Sequence, residues 1–283
     1  MATNDPLAHV MNARLVYHLP GEDRVSVTKN IPFKTVADLT LHLDVYAPPD
    51  LHPTETRPAV LFVSGDTPPD YMLGVKDWGA YVGWGRLVAA AGLIGIPFQH
   101  RVMGDLHPTD VDAVVQDVTD AIAYVRTNAA DLHVDPDRLC LWSGSAGALP
   151  GLRVGLADPQ PFLHCLVSYY GVFDLAVYAQ ARALPTPAPA ILQALAPRTY
   201  LQQHPQRIPP LLIARMEHDM PGLNVAVDAF VTAAADVHAP VELVNHPDGH
   251  HGFDTEDDNE QSRAIIMQTL SFMQRHLGHA RPG

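Results

Sequence analysis

Three residue types set far apart in the chain could together make an alcohol reactive. They are Ser145 in LWSGSAGALPG (141–151), Asp219 in MEHDMPG, and a histidine, His250 or His251, in PDGHHGFD. A serine hydroxyl is a weak nucleophile until a base takes its proton, and the base works only when a third group orients it. The serine is the most constrained of the three. A nucleophile held on a tight strand-to-helix turn needs small residues two before and two after it, as in G-x-S-x-G. Here the turn reads S-G-S-A-G, so Ser143 stands where the first glycine would be and Gly147 keeps the second. Ser143 as the nucleophile would put Leu141, too large, at a constrained position. A phosphate-binding loop would need G-x-x-x-x-G-K-[ST] or G-x-G-x-x-G, and neither is present here.

Each candidate partner has a bland alternative. Asp219 could simply cap the following helix, and Glu217 is a nearby substitute acid. His250 and His251 could be solvated loop residues. With His246 they fit no zinc-ligand spacing, so no metal is expected. A developing oxyanion needs two backbone N–H donors. Ala146, just after the serine, supplies one candidate, and the loop SGDTPPD supplies the others, Gly65 and Asp66.

The elements that would position these residues alternate along the chain. DLTLHLDVYAP (38–48) has the alternation of a half-buried strand, whereas RPAVLFVSGD (57–66) carries the continuous apolar run of a strand covered on both faces. A helix over 80–91 and a short strand within 92–98 follow. Apolar residues at three- and four-residue steps, from Val111 to Val125, predict an amphipathic helix over 108–132. Strand 138–142 leads into a helix over 145–158 that Pro150 should interrupt. Strands at 162–171, 209–216 and 240–246 and helices at 222–237 and 257–277 complete the pattern. Such repetition implies an α/β fold: a mostly parallel central sheet with helices on both faces and an antiparallel edge. The Pro- and Ala-rich stretch between two core strands, about 175–208, is expected to form a small cap on a single domain spanning 1–283. Tyr169, Tyr170 and Phe173 belong either to its pocket or to the core. Trp78 and Trp84 line an entrance or a buried helix.

Bulk properties exclude several functions. Of 283 residues, 47% are hydrophobic and 17% charged, enough for a packed core, and the net charge of −13 argues against nucleic acid as a partner. The first residues, MATNDPLAHVMNARL, do not read as a signal peptide, and no apolar run is long enough to span a membrane. The expectation is a cytoplasmic protein without membrane association, with a homodimer left open. Cys140 and Cys165 read as small buried core residues, reduced rather than bridged.

The residues also resemble a known family. LHLDVYAP, PAVLFVSGD, SGSAGA, SYYGVFDL, PPLLIARMEHD and HHGFD, in this order over roughly 38–277, look like the α/β-hydrolase superfamily, specifically its esterase branch with dienelactone-hydrolase-like and feruloyl-esterase-like proteins. The resemblance implies His251, the histidine directly before Gly-Phe, as the base and Asp219 as the acid. Where the family often has His-Gly-Gly in the oxyanion loop, this chain has Ser64-Gly65-Asp66, and a carboxylate at 66 would disfavour anionic substrates. The reading that follows is a serine hydrolase of small-molecule carboxylic esters acting through an acyl-enzyme and needing no cofactor. An amide or formamide hydrolase on the same site and a non-catalytic binder on a hydrolase scaffold are the alternatives.

Overall fold

A computed structural model describes residues 7–65, 67–104 and 108–278. Eight strands form one sheet: β1 (Ser26–Val36), β2 (Leu39–Ala47), β3 (Arg57–Val63), β4 (Ile94–Pro97), β5 (Val134–Gly144), β6 (Leu163–Tyr169), β7 (Leu211–His218) and β8 (Val241–His250). Their spatial order is β1-β2-β4-β3-β5-β6-β7-β8. β1 and β2 pair antiparallel, β2 meets β4 antiparallel, and every later neighbour is parallel.

The apolar runs are explained by the alternation of side chains along a strand, which sends neighbours to opposite faces. In β3, Ala59, Leu61 and Val63 join one core layer while Val60 and Phe62 join the other. β5 divides likewise, with Leu139 and Leu141 on the first face and Cys140 and Trp142 on the second. Helices cover both layers, in chain order α1 (Ala8–Asn12), α2 (Pro69–Met72), α3 (Gly79–Ala90), α4 (Pro108–Thr127), α5 (Ala148–Ala157), α6 (Leu175–Ala181), α7 (Pro189–Ala194), α8 (Pro197–Gln203), α9 (Leu223–Asp236), α10 (Phe253–Glu256) and α11 (Glu260–Leu277). α4, α5 and α9 pack on the first face, through residues such as Val118, Leu152 and Phe230. α3 and α11 pack on the second, through Trp84, Leu87, Ile266 and Phe272. Cys140 and Cys165 are fully buried free thiols, register partners on adjacent strands.

Two expectations change. Pro150 does not interrupt its helix, because it falls in the first turn of α5, where N–H groups have no intrahelical acceptor to lose. β1 was not individually legible in the sequence: it is mostly exposed, contains Pro32, and shifts register twice against β2. Its lysines and proline suit an edge strand that must not recruit another chain. Among the described residues, no helix is long and apolar enough to cross a membrane.

One buried carboxylate ties this edge to the rest. Asp117 on α4, with no solvent exposure, accepts from Lys34 Nζ on β1 at 2.6 Å and from Arg101 Nε and Nη2, each at 2.8 Å. Burial works against its charge, but these hydrogen bonds outweigh burial and hold the carboxyl below its usual range. A depressed folded-state pKa adds stability at neutral pH, and that contribution disappears as pH falls below about 4 and through the folded value. Asp117→Ala should therefore cost about 3 kcal/mol, toward the low end for a broken buried pair because both cations keep some water access. Urea unfolding at pH 7 measures the loss, and the difference from the parent protein should shrink on acidification.

Candidate active site

The residues singled out by chemistry sit at one end of the sheet, each just past the carboxyl end of a parallel strand. Ser145 directly follows β5, Asp219 directly follows β7, and His251 directly follows β8. Open α/β sheets place their sites at these ends because the chain there leaves the ladder and its side chains turn outward.

Ser145 sits on a sharp turn in the left-handed region, φ 52°, costly for a non-glycine residue and retained where surrounding structure dictates it. The next residues form one 3-10 turn that runs into α5. Gly147 shows why the position two after the serine must be small: a Cβ there would lie 2.4 Å from the Ser64 carbonyl oxygen, a backbone atom that cannot step aside. The position two before it tolerates serine. The Ser143 hydroxyl is buried and donates to the Val167 carbonyl at 3.2 Å, and its side chain packs on Gly151 of α5. That side chain faces α5, so Ser143 is not part of the cleft.

The three partners lie in hydrogen-bonding reach. His251 Nε2 is 2.9 Å from Ser145 Oγ, and His251 Nδ1 is 2.7 Å from Asp219 Oδ1. With Nδ1 as the N–H that donates to the carboxylate, Nε2 is left as the acceptor for the serine proton. The Asp219 side chain is 3% exposed, and the same Oδ1 also accepts the Met220 N–H at 2.7 Å, so one oxygen holds both bonds. It does not cap α9, whose cap position is Gly222. The alternative residues turn to other partners. Glu217 is exposed and bound to Arg215 at 2.6 Å. His250 turns to Asp257 at 3.1 Å, and His246 is buried against Ser262. No group of three or more His, Cys, Asp or Glu among the described residues could hold a metal ion.

Of the proposed oxyanion donors, Ala146 is fully buried in the first turn after the serine, where N–H groups lack intrahelical acceptors. The Gly65 N–H donates to the Tyr81 hydroxyl at 3.0 Å. Asp66 lies outside the described residues.

The cleft around Ser145 has a volume of about 470 Å³. Trp78, Tyr170, Tyr178 and Met220 give it aromatic and apolar walls, and Leu7 and Val10 of the amino-terminal segment also line it. Trp84, Tyr169 and Phe173 are instead buried in the core. Two further residues escaped the sequence reading. Asp254, in the same HHGFD stretch as His251, is buried beneath the site and accepts from Trp84 Nε1 at 2.8 Å and from the Tyr170 hydroxyl at 3.0 Å. Burial raises its carboxyl above the usual range, against the pull of these two donors. Tyr170, thus anchored, sets its ring 4.6 Å from the imidazole of His251. Tyr81 is the second, and only its place in three dimensions marks it.

Comparison with known proteins places this geometry in a family. The sequence model of the BD-FAE family matches residues 43–221. The chain belongs to the BD-FAE family. The matched span contains Ser145 and Asp219 and ends before His251. Esterase LipQ of Mycobacterium tuberculosis is 27% identical over 267 residues, covering 84% of this BD-FAE chain and 60% of LipQ. A probable isoprenylcysteine alpha-carbonyl methylesterase of Oryza sativa subsp. japonica is 34% identical over 106 residues, 38% of this chain and 23% of that protein. The chain thus spans at most about 60% of the length of these relatives. Among solved structures, apo esterase 2 of Thermogutta terrifontis superposes with a TM-score of 0.69 at 22% identity, over 94% of this chain and 98% of that one. The fold of this BD-FAE member is accordingly that of an α/β-hydrolase.

Proposed function

We propose that the protein is a serine hydrolase of small-molecule carboxylic esters. The observation that carries this reading is the continuous hydrogen-bonded line from Asp219 through His251 to Ser145, with the serine on a strained turn facing an apolar cleft. Family membership and the esterases among the relatives support the same class of reaction. Ser145 Oγ attacks the ester carbonyl carbon as His251 takes its proton. The tetrahedral intermediate expels the alcohol, which receives that proton from the imidazole, and an acyl-serine remains. Water, deprotonated by the same imidazole, then releases the acid. Asp219 holds the productive tautomer and stabilises the imidazolium. The chemistry asks for no cofactor.

The segment at about 175–208 acts in this reading as a small cap. Its three short helices α6 to α8 include Tyr178, in the wall of the cleft. The aromatic walls suit an uncharged acyl or alcohol group of modest size.

A fluorophosphonate probe tests the reading directly. One equivalent should attach to the native protein and none to Ser145→Ala; a native protein that does not react would point to a binder on a hydrolase scaffold. Paired ester and amide substrates with the same acyl group should show faster cleavage of the ester, since the amine is the poorer leaving group. Activity should decline on acidification, because only a neutral imidazole accepts the serine proton.

A further inference from the structure

The loop after β3 was expected to offer the second oxyanion donor, yet its Gly65 N–H is already committed, donating to the Tyr81 hydroxyl at 3.0 Å. Gly65 itself is in the right place: a Cβ on it would lie 3.0 Å from Ser145 Cβ and 3.7 Å from Ser145 Oγ. Tyr81 Oη is one hydrogen bond from this glycine, and Tyr81, Gly65 and Ser145 line the same cleft. We propose that the Tyr81 hydroxyl, polarised by the Gly65 N–H, donates the second hydrogen bond to the oxyanion formed on Ser145. This deepens the ester-hydrolase reading and rests on it.

Three observations carry the assignment. First, a hydroxyl that accepts one hydrogen bond still has a proton to give, and among the described residues no acceptor takes the one on Tyr81. Second, the ring has little freedom to withdraw. It stands edge-on to Trp142 at 6.3 Å, and Trp142 is itself packed among Phe62, Trp84 and Tyr169. For Gly65 N–H to reach substrate directly, it would first have to give up its bond to this phenol. Third, burial raises the Tyr81 hydroxyl above its ordinary range, outweighing the opposite pull of the Gly65 N–H and helped by the Asp254 carboxylate, so the group remains a phenol that can donate.

The chain N–H···O–H···O⁻ has a physical advantage. Accepting from the amide polarises the phenol, and hydrogen bonds in series strengthen one another. A phenol is also a far stronger acid than an amide N–H and so the stronger donor to an alkoxide. The arrangement suits a loop reading Ser64-Gly65-Asp66 rather than His-Gly-Gly. No bond to Tyr81 forms or breaks; its proton stays on the phenolic oxygen and the negative charge stays on the former carbonyl oxygen until the alcohol leaves.

Tyr81→Phe, made in the full chain, removes the hydroxyl and keeps the ring. With p-nitrophenyl butyrate, kcat should fall about 100-fold while KM stays within about threefold, the signature of an interaction made only in the transition state. Inhibition by an aliphatic trifluoromethyl ketone, whose serine adduct carries the same oxyanion, should weaken by a similar factor. Thermal unfolding should be nearly unchanged, which separates this effect from loss of structure. An unaltered or faster kcat would overturn the assignment, since it would mean that the freed Gly65 N–H serves as donor. A change confined to KM would also overturn it, reducing Tyr81 to a wall of the cleft. The broader reading is tested separately in the same assay. If the parent protein turns over substrate and Ser145→Ala does not, that reading stands whatever Tyr81→Phe shows; an inactive parent protein removes the reading itself.

Discussion

Replacing Ser145 with alanine should lower turnover of a short-chain aryl ester by three orders of magnitude or more. The substitution deletes the proposed nucleophile and nothing else of size. What survives is catalysis by binding and oxyanion stabilisation alone, and in serine hydrolases this residue is small beside the intact machinery. The substitution should not be read as a stability change. Ser145 is only partly buried, and its hydroxyl bonds to His251 at 2.9 Å across an open cleft. Alanine keeps the left-handed backbone strain that the serine already bears at φ 52°. Initial rates with enzyme at high concentration, after extensive purification to remove contaminating esterase, measure the residual. Activity within tenfold of the parent protein would take Ser145 out of the mechanism.

Asp219→Asn should also cost heavily, on the order of 10⁴ in kcat, for a different reason. The carboxylate accepts from both the Met220 N–H and His251 Nδ1. An amide in the same place offers one acceptor oxygen and one donor NH₂. Both of those bonds end on the same oxygen, Oδ1; an amide oxygen in its place keeps them but carries no charge to stabilise the imidazolium, and an NH₂ in its place faces Nδ1 and forces the imidazole proton onto Nε2, the atom that must receive the serine proton. The nucleophile would then meet a donor where it needs an acceptor. Because the error lies in protonation rather than placement, KM should change little. Glu217→Gln is the control: Glu217 is exposed and paired with Arg215, so its loss should leave kcat within about twofold. A kcat for Asp219→Asn close to that of the parent protein would mean that another group orients His251.

The elements that carry these side chains were legible where two-sided burial leaves a continuous apolar mark, as in Ala59–Val63 of β3, or where a three- to four-residue period does, as in α4. The edge strand β1 lacks both marks, since one face has no core to meet. The choice between Glu217 and Asp219 depended on a fact of strand geometry that type and order alone do not supply. Met216 is buried at the end of β7, Glu217 and His218 remain exposed, and the chain then turns to carry Asp219 inward. The same holds for the adjacent histidines, where His250 ends β8 and faces Asp257 while His251 turns into the cleft. Tyr81 and Asp254 left no local trace. Their roles rest on contacts with Gly65, Trp84 and Tyr170 that exist only once the chain has closed.

The paired thiols in mid-sheet offer a use of their own. Cys140 lies on the strand that leads into Ser145, and Cys165 beside it on the next; both are sealed from solvent, and burial raises the Cys140 thiol well above its ordinary range. A disulfide reagent such as Ellman's needs a solvent-accessible thiolate, so it reads out only molecules whose central layer has come apart. The colour it develops over time is thus an internal gauge of integrity, able to tell a silent but intact variant from one that has lost its architecture.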